Sequence, residues 1–597
     1  MVPRAWLVGL PIILTALGNA SILPAQEVRD LSTLQWIGQG SDVDVRNLPP
    51  QASSAPPGRV VAGQKKPLLV PDPHTLRQMK GLLRIPGALP AAPNLVEDTG
   101  PLAAPSVSSA AIVSTQFEGL SQLDNAVQTG VGVLPSDSNL GVGPTEIFQM
   151  VNQVGRISNK LGSPASSSTF ALDFFFGVDF FSQGSDPRII YDALSGRWFA
   201  VYLQFSTIFK SSAVILAVST TSSPTLFCKY QIGSNVLQDF PTLGLSSDKV
   251  AVGYDGYLWD FRTFVGTGYY VLDKAALVNC ASSVAVAVAP PDSSRNTIQP
   301  VQSLGSTNDL YMTMHVGSST ALALLKVSGV PGLTPVTETA TALPITTWLA
   351  PPDALQRAKT GGTSSQLLDT NDARVLTAAW QNQSLWLAGN EACTPTGDST
   401  ARSCVRLIEV RTDTNPMTVQ QDMTYGAAGQ YYYYPAVRSD SLANVYVVFT
   451  ASAADTFAGV RTTGRLAGDA LNTLQASSLL RAGGGEQTHG SGRVGDYSGA
   501  AVDPVAPHTV WVMAENILPP DPSLTNGVAD WGTYVAQLSF SSAPPPTFTL
   551  TVTKSGSGTV TSADGKITCG STCSANYQSG SIVTLTAAAA SGWVFTG

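Results

Sequence analysis

Short β-strand patterns recur in pairs between about residue 134 and residue 540, and this repetition constrains the fold more than any other feature of the chain. Each pair is opened by an Asp or a Pro and is closed by a polar turn and an aromatic residue, in some copies more loosely than in others. The seven pairs are Asn139–Pro144 with Glu146–Phe148 (after Asp137), Asp186–Tyr191 with Gly196–Phe199, Asp239–Leu243 with Lys249–Val252, Gln299–Val301 with Leu310–Tyr311, Asp372–Leu376 with Ser384–Trp386, Tyr434–Val437 with Asn444–Tyr446, and Gly495–Asp503 with Thr509–Trp511. Repeats of this size, built from antiparallel hairpins, predict a β-propeller.

The spacing of the pairs sets the expected number of blades. Successive pairs start about 45 to 75 residues apart, against a norm of roughly 40 to 50 residues per blade, so we expect insertions in the loops. From Ser114 onward there is no helical periodicity of useful length, and runs such as Val445–Thr450 are rich in β-branched residues. We therefore predict an all-β fold, with a propeller of about seven blades over residues 114–540 and six or eight blades as the alternatives.

The first 25 residues have the pattern of an export signal. Arg4 is the lone cation, Ala5–Gly18 is apolar, and small residues follow at Ala20 and Ala25. A transmembrane anchor is the alternative, but the run is only about 14 residues long and Pro11 interrupts it, so it is too short to cross a bilayer. We predict a signal peptide over residues 1–25 and a secreted or cell-surface protein.

Composition narrows the possible partners. Charged residues make up 12% of the chain, about half of the usual ~25%. The net charge is −8, and no run of Lys or Arg occurs, which argues against nucleic acid as a partner. Residues 26–113 are rich in Pro, Ala and Ser, and we expect them to be largely disordered because they bury too little apolar surface to offset the cost of ordering the backbone.

The six cysteines fall into three local pairs, and an even number in an exported chain favours disulfides. The predicted bonds join Cys228 to Cys280, Cys393 to Cys404, and Cys569 to Cys573. A metal-binding knuckle is the alternative for the last pair, but no second Cys or His pair accompanies it.

A Pro-rich linker over residues 541–547 precedes a different module over residues 548–597, which we expect to be a small β-unit. Leu550–Thr561, Cys569–Cys573 and Val583–Ala587 together resemble the bacterial surface repeat family related to the internalin B-repeats, over about 50 residues. The resemblance implies a bacterial exported or surface-displayed protein and implies no catalysis. Family members continue into a Gly-Trp-Ser-Gly-like closing strand, so we expect the module to be incomplete here.

The central region resembles a group of uncharacterised bacterial secreted propellers. The resemblance is carried by residues 186–199, Leu368–Arg374 and Gly495–Pro504 and extends over about 400 residues. It implies the propeller fold and says little about function.

Residues that open the inner strands of a propeller surround one mouth of its central channel. The predicted openers carrying carboxylates are Asp137, Asp186, Asp239, Asp372 and Asp496. A ring of carboxylates could hold a structural Ca²⁺, which takes six to eight oxygen ligands. The alternative is that each Asp hydrogen-bonds to the backbone of its own turn. No other cofactor is expected.

Arg188, Arg374 and Arg493 lie near the same openers. Three arginines on one face could bind a sugar carboxylate, as they do in sialidases, with Tyr497 as a nucleophile and Asp186 or Asp239 as an acid. However, the sialidase Asp-box is not reproduced, and pairing of each Arg with a neighbouring Asp explains the same residues. The chain also lacks a zinc-binding His-Glu-x-x-His motif and a Gly-x-Ser-x-Gly elbow.

Two functions are therefore compared. The first is an exported bacterial binding or adhesion scaffold that recognises a glycan or an extracellular protein at the propeller face. The alternative is a secreted sialidase-like glycoside hydrolase, although no catalytic residue is assigned. The predicted ligand-binding residues are Asp186, Arg188, Asp239, Asp372, Arg374, Arg493, Asp496 and Tyr497.

Overall fold

The computed structural model describes residues 26–31, 33–48, 94–100, 111–130, 132–315, 320–519, 531–540, 547–570, 572–578 and 583–596. Strands make up 54% of the structure and helices 4%, which confirms the predicted all-β class. The predicted signal peptide, residues 49–93 and 101–110, and all of the Pro-rich linker except its last residue lie outside the described residues.

The elements follow one another as short strands joined by tight turns. In chain order the strands are β1 (Gln26–Asp30), β2 (Leu34–Gly38), β3 (Val43–Asp44), β4 (Leu95–Glu97), β5 (Ile112–Ser121), β6 (Asn139–Val142), β7 (Glu146–Val151), β8 (Val154–Asn159), β9 (Pro164–Ala171), β10 (Gln183–Asp192), β11 (Arg197–Ser206), β12 (Ser211–Ser219), β13 (Leu226–Ser234), β14 (Leu237–Leu245), β15 (Lys249–Tyr257), β16 (Phe264–Asp273), β17 (Ser283–Asp292), β18 (Gln299–Pro300), β19 (Gln302–Ser303), β20 (Leu310–His315), β21 (Ala321–Ser328), β22 (Thr337–Pro344), β23 (Val375–Gln381), β24 (Ser384–Cys393), β25 (Arg402–Arg411), β26 (Thr418–Gly426), β27 (Gln430–Ser439), β28 (Val445–Ala453), β29 (Thr456–Arg465), β30 (Ser478–Arg481), β31 (Gly499–Val502), β32 (Val510–Ile517), β33 (Trp531–Ser539), β34 (Thr547–Thr551), β35 (Gly558–Ser562), β36 (Thr568–Cys569), β37 (Ser574–Gln578) and β38 (Leu585–Ala589). The helices are α1 (Gln122–Thr129), α2 (Leu172–Phe176) and α3 (Lys274–Val278), with a 3-10 turn at Val45–Asn47.

Within the described ranges, most strands form seven successive groups of four antiparallel strands. We call them unit 1 (β6–β9), unit 2 (β10–β13), unit 3 (β14–β17), unit 4 (β18 and β20–β22), unit 5 (β23–β26), unit 6 (β27–β30) and unit 7 (β31–β33 with β5). Each paired pattern found in the sequence coincides with the first two strands of one unit. The hairpin repeat was therefore read correctly from the sequence, and the fold is β-propeller-like.

The first strands of the units lie next to one another in chain order. β6 contacts β10, β10 contacts β14, and the series continues through β18, β23 and β27 to β31, which in turn contacts β6. Between units 3, 4 and 5 the contact includes parallel hydrogen-bonded pairing through β19. The first strands therefore surround a common centre.

The hydrophobic core is divided into layers between the units, because a four-stranded sheet cannot bury both of its faces alone. One layer joins Phe148 of unit 1 to Trp198 of unit 2, and similar layers join each later unit to its successor. A further layer joins Trp511 of unit 7 to Leu140 of unit 1. Each unit thus depends on two neighbours.

Four short N-terminal strands lie at the outer edges of the units, within the segment 26–113 that was expected to be largely disordered. β1 pairs with β22 of unit 4, β2 with β17 of unit 3, β3 with β13 of unit 2, and β4 with β26 of unit 5. Strands as short as these are ordered because an added edge strand takes its hydrogen bonds and apolar contacts from an existing sheet, and the expectation for the segment as a whole stays a prediction. We call β1–β3 the N-terminal strap.

Unit 7 is completed by β5, which comes from the other end of the ring in sequence. β5 pairs antiparallel with β33, with Phe117 opposite Val535. It leads directly into α1, whose first turn is stabilised by a capping box between Ser121 and Asp124. The two ends of the repeat region are therefore held in one sheet.

All six cysteines form the predicted bonds. The Cα–Cα distances are 5.8 Å for Cys228–Cys280, 5.9 Å for Cys393–Cys404 and 4.2 Å for Cys569–Cys573.

The last described residues form two small sheets, β34 with β37 and β35 with β36 and β38. In the part of the chain that the structure describes, no helix is long and apolar enough to cross a membrane.

Candidate functional site

The first strands of three units contain the same local backbone irregularity. β10, β14 and β27 contain a β-bulge in which a left-handed residue precedes a proline: Asp186–Pro187, Phe240–Pro241 and Tyr434–Pro435. Asp137, Asn371 and Asp496 are left-handed at the start of units 1, 5 and 7. A left-handed Phe or Tyr is unfavourable by about 1–3 kcal/mol unless its surroundings hold it there. We call this end of the ring the opener end.

The openers differ in two units from those read from the sequence. The left-handed residue is Phe240 rather than Asp239 in unit 3, and Asn371 rather than Asp372 in unit 5. Asp239 lies one position before the bulge and pairs with Asp255 of β15. Asp372 lies one position after the left-handed residue and receives hydrogen bonds from Arg374.

Units 1 and 2 are joined at the opener end by one amide. Asn152 donates to Asp137 Oδ2 (2.8 Å), and its own oxygen accepts from the backbone N–H of Asp186 (3.0 Å). Asp186 Oδ2 in turn accepts from the N–H of Phe240 in unit 3 (3.1 Å). These bonds fix three openers from consecutive units against one another.

Two of the three predicted arginines are held in ion pairs. Arg374 Nε lies 2.8 Å from Asp372 Oδ1, and its Nη1 lies 3.5 Å from Asp255 Oδ2. Arg493 pairs with Asp496 and lies 3.8 Å from Asp369. For Arg374 and Arg493, the structure therefore has the arrangement considered as the alternative above, in which each arginine pairs with neighbouring carboxylates.

Arg188 is bound differently, between aromatic rings. Its Cζ lies 3.2 Å from the centre of the Tyr497 ring and 5.1 Å from that of Phe240. Its Nε donates to Pro241 O (3.3 Å), while its Nη2 has no hydrogen-bond partner among the described residues. Cation–π contact therefore replaces an ion pair here.

The structure thus brings all of the predicted site residues to one end of the ring. Asp186, Arg188, Asp239, Arg493, Asp496 and Tyr497 are buried. The side chains of Arg374 and Asp372 are 13% and 35% exposed, so the cluster reaches solvent at Asp372. We call these eight residues, with Asp137, the opener cluster.

Carboxyl groups outnumber guanidinium groups in this buried cluster, and their pKa values rise accordingly. Burial raises the pKa of Asp496 to about 6, with Asp369 and Asp186 adding to the rise and Arg493 opposing it. Burial, Asp186 and Asp255 raise the pKa of Asp239. Burial likewise raises the pKa of Asp137, and Asp186 adds to it. Burial and the neighbouring carboxylates therefore disfavour the ionised form of these three groups relative to that of an exposed Asp.

Glu515 is a buried acid close to the cluster that the sequence analysis missed. It lies on β32 and accepts from the backbone N–H groups of Gly495 (2.8 Å) and Ser136 (3.2 Å). Burial raises its pKa to about 7. No motif surrounds it in the sequence, and only the packing of unit 7 against unit 1 reveals it.

The geometry does not favour Tyr497 as a nucleophile. Its ring is buried, its hydroxyl donates to Pro187 O (3.0 Å), and burial together with Asp137 raises its pKa. A nucleophilic phenol needs a base or a lowered pKa. Among the residues that the structure describes, no group of three or more His, Cys, Asp or Glu side chains is arranged to hold a metal ion, so the structural Ca²⁺ stays a prediction.

A channel continues from the opener cluster along the first strands. It has about 550 Å³ of space not filled by atoms, part of it open to solvent. Every unit contributes to its wall, and the polar residues there include Asn139, Arg188, Gln302, Thr377 and Arg438. Of these polar residues only Arg188 was predicted from the sequence, which placed the site at the mouth.

Exposed aromatic residues also lie at the opener end, on unit 2. Phe180, Phe181 and Phe209 are 94%, 55% and 62% exposed and form a contiguous group, with ring centres 5.4 and 5.6 Å apart. We call them the phenylalanine cluster. Phe180 and Phe181 precede β10, and Phe209 lies in the turn between β11 and β12, at the same end of the unit. Large contiguous exposed apolar patches mark binding surfaces, which makes these rings a candidate surface.

Comparisons with known proteins do not assign this chain to a family. No family model matches the chain, and no curated protein matches it. Similar solved structures include a protein of unknown function from Dyadobacter fermentans (11% identity, 60% of this chain, 96% of that chain, TM-score 0.29). They also include an α-L-arabinofuranosidase from Fusarium graminearum (8%, 71%, 97%, 0.30) and a Hadza microbial sialidase (11%, 65%, 73%, 0.27).

Proposed function

We propose that this protein is an exported bacterial binding protein built on a closed propeller of seven blades, and that it binds a glycan without acidic groups at the opener end. The blade count is supported by the seven four-stranded units and by the contact of β31 with β6. Export is supported by three disulfides, which persist in oxidising compartments. A bacterial surface protein is what the resemblance to the internalin B-repeat family would imply.

The choice of a glycan as ligand rests on one observation: buried acids in the opener cluster have oxygens without hydrogen-bond partners. Asp239 Oδ1 and Asp496 Oδ1 are enclosed and have no hydrogen-bond partner among the described residues. These unpartnered carboxyl oxygens can accept hydrogen bonds from a ligand. Sugar hydroxyls can donate such bonds, and a ligand hydroxyl would satisfy oxygens that the protein leaves without partners.

The charges of the cluster argue against an acidic sugar. Arg374 and Arg493 already bind carboxylates, and Arg188 lies against Tyr497. A sugar carboxylate at Arg374 or Arg493 would have to displace an existing ion pair, and one at Arg188 would lie close to the buried acids Asp137, Asp186 and Asp496. The acidic-glycan hypothesis and the sialidase-like hydrolase therefore have less support than binding of a neutral glycan.

The phenylalanine cluster adds an apolar surface at the same end of the ring. Aromatic rings pack well against the apolar faces of sugars, as they do at other binding surfaces. A glycan that extends from the mouth over unit 2 would contact both the polar cluster and the exposed rings. An extracellular protein is the second candidate ligand, because exposed Phe side chains also suit protein contacts.

A glycan array with neutral, amino and sialylated glycans tests this proposal. We expect neutral glycans to bind and sialylated ones not to bind, and we expect no turnover of chromogenic glycosides. Asp239→Asn should weaken binding at least tenfold while leaving thermal stability unchanged or slightly higher, since it removes a buried acid near Asp186 and Asp255.

Asp413→Asn is the matched control, because Asp413 is exposed and pairs with Arg411 away from the opener end. It should bind like the unmodified protein. Selective binding of sialylated glycans, or equal binding by the Asp239 variant, would contradict the proposed site. Release of the chromophore would instead support the hydrolase.

A further inference from the structure

Arg438 is a buried cation on the wall of the channel. It lies on β27, four residues after the opener Tyr434, or about 13 Å along the strand. The residue is only 9% exposed, and it lines the channel. It is therefore well separated from the acidic opener cluster.

The hydrogen bonds of Arg438 are all to neutral groups. Its Nη2 donates to Gln302 Oε1 (3.0 Å), and its Nη1 donates to Val437 O (2.9 Å) and Thr377 Oγ1 (3.3 Å). Its Nε has no acceptor among the described residues. No carboxylate forms an ion pair with it there.

Several other buried arginines of the chain are paired with acids, although Arg188 and Arg465 are held by aromatic rings and backbone carbonyls instead. Arg406 pairs with Glu391 and Asp422, and Arg295 pairs with Glu338. An unpaired buried charge is costly, because the low-dielectric interior replaces water around it. Burial also lowers the pKa of Arg438 to about 10, and no nearby acid opposes that change.

We propose that the channel holds a compact monovalent anion beside Arg438, either a free inorganic anion or the carboxylate of a small ligand. The anion would accept from the unpartnered Nε and supply the missing negative charge. The amide of Gln302 and the hydroxyl of Thr377 hold the guanidinium in place, so the group is oriented before binding. Arg188 lines the same channel, and its Nη2 has no partner in the described residues.

Crystals of the full chain soaked in bromide give the direct test. Bromide is detected by its anomalous scattering, and we expect a peak within about 3.5 Å of the Arg438 guanidinium. Density for water alone at that place, with no anomalous peak in bromide and no carboxylate density in crystals soaked in glucuronate, would overturn the proposal. This measurement uses the unmodified protein, so its result does not depend on whether a variant folds.

Thermal unfolding in solution separates the two sources of the anion. A ligand bound only to the folded state raises the melting temperature, here by an expected shift on the order of 2 °C at saturation. Sodium bromide, sodium acetate and sodium glucuronate are compared, at the same ionic strength, with sodium MES, a bulky sulfonate that has no carboxylate. A shift with bromide and acetate indicates a free small anion, whereas a shift with glucuronate alone indicates a sugar acid. No shift with any of them would contradict the proposal.

Arg438→Met should abolish the anion-dependent shift while general salt effects remain. Arg465→Gln is the control, because Arg465 is also buried but donates to Asp469 O and Ala470 O outside the channel. The Arg465 variant should keep the shift. A shift that persists in Arg438→Met would place the anion elsewhere. This inference does not rest on the proposed glycan site, since an anion at Arg438 and a neutral glycan at the opener end are measured separately.

Discussion

Trp198 shows how single residues fix one unit against the next. It lies on β11 of unit 2 and is fully buried, with its Nε1 donating to Ser222 O (2.8 Å). Its ring packs on Gly141 and Gly143 of unit 1, where a side chain would have no room. This aromatic residue of the second strand pattern is therefore a contact between units, and the glycines opposite it are part of the same contact.

Gly143→Ala should destabilise the fold through this contact. A Cβ at position 143 would lie 2.4 Å from Trp198 Cζ2, so the indole or the strand must move, at a cost of about 1–3 kcal/mol. Urea unfolding of the variant measures the loss. Gly468→Ala is the control, since a Cβ there meets nothing within 4 Å. Equal stability of the two variants would contradict the packing argument.

Glu515→Gln tests the raised pKa of the buried acid beside the opener cluster. The folded-state pKa of about 7 is above the ordinary 4.5, so the folded protein binds more protons than the unfolded chain between these values. The contribution of Glu515 to the free energy of unfolding therefore falls as pH rises from about 4.5 to about 7. As pH rises through this window, the free energy of unfolding of the variant should therefore increase by roughly 3 kcal/mol relative to that of the unmodified protein.

Urea unfolding of both proteins at pH 4.5, 6 and 8 gives this difference. The exposed Asp455→Asn serves as the control and should show a difference that does not change with pH. A difference for Glu515→Gln that is also constant across the three pH values would show that Glu515 ionises normally in the folded state.

The opener cluster illustrates what the sequence could and could not reveal about the site. The Asp-Pro pair at Asp186 predicts a special turn, because Asp tolerates unusual backbone angles and Pro fixes the next residue. Phe240 and Tyr434 occupy the same position in other units, but neither residue type signals a left-handed conformation. The ion partners Asp255 and Asp369 were missed, since they come close to the arginines only in the folded chain.

At the scale of elements, the N-terminal strap shows why composition gives no sign of the strands within residues 26–48. The strap strands are two to five residues long and carry no clear periodicity, so a sequence window contains too little signal. They need no core of their own because each extends a finished sheet. They also cover backbone groups at the outer edges of units 2, 3 and 4, which would otherwise be open to pairing with other chains.

Removing residues 26–48 should lower the melting temperature and promote aggregation. The deletion uncovers three sheet edges and removes Leu31, a buried member of the core layer between units 3 and 4. Thermal scanning with light scattering measures both effects. Trp36→Ser is the control, because the Trp36 side chain is mostly exposed and the strand is kept. If the deletion variant melts and stays soluble like the control, the strap does not protect the edges.

At the scale of the whole molecule, the sequence predicts the repeat but not how the ring is completed. The paired patterns identify the first two strands of every unit, because these strands lie in the interior and are strongly apolar. The fourth strand of unit 7 is β5, which is more than 400 residues away from β33 along the chain. Pairing between strands so far apart leaves no local pattern in the sequence. Only the structure shows that β5 pairs with β33.

Locking β5 to β33 should stabilise the entire ring, because their separation requires opening the circle of units. Thr115 and Gln537 are antiparallel partners, at a spacing that suits a disulfide. The double variant Thr115→Cys/Gln537→Cys closes a loop of several hundred residues, and a long loop should add up to about 5 kcal/mol to the free energy of unfolding.

The control is Ser328→Cys/Thr337→Cys, which links the partner strands β21 and β22 inside unit 4. It closes only a short loop and should add less, about 2–3 kcal/mol. Urea unfolding of both variants under oxidising conditions gives the comparison. If the ring-closing bond forms and yet stabilises no more than the hairpin bond, separation of β5 from β33 is not the step by which the molecule opens.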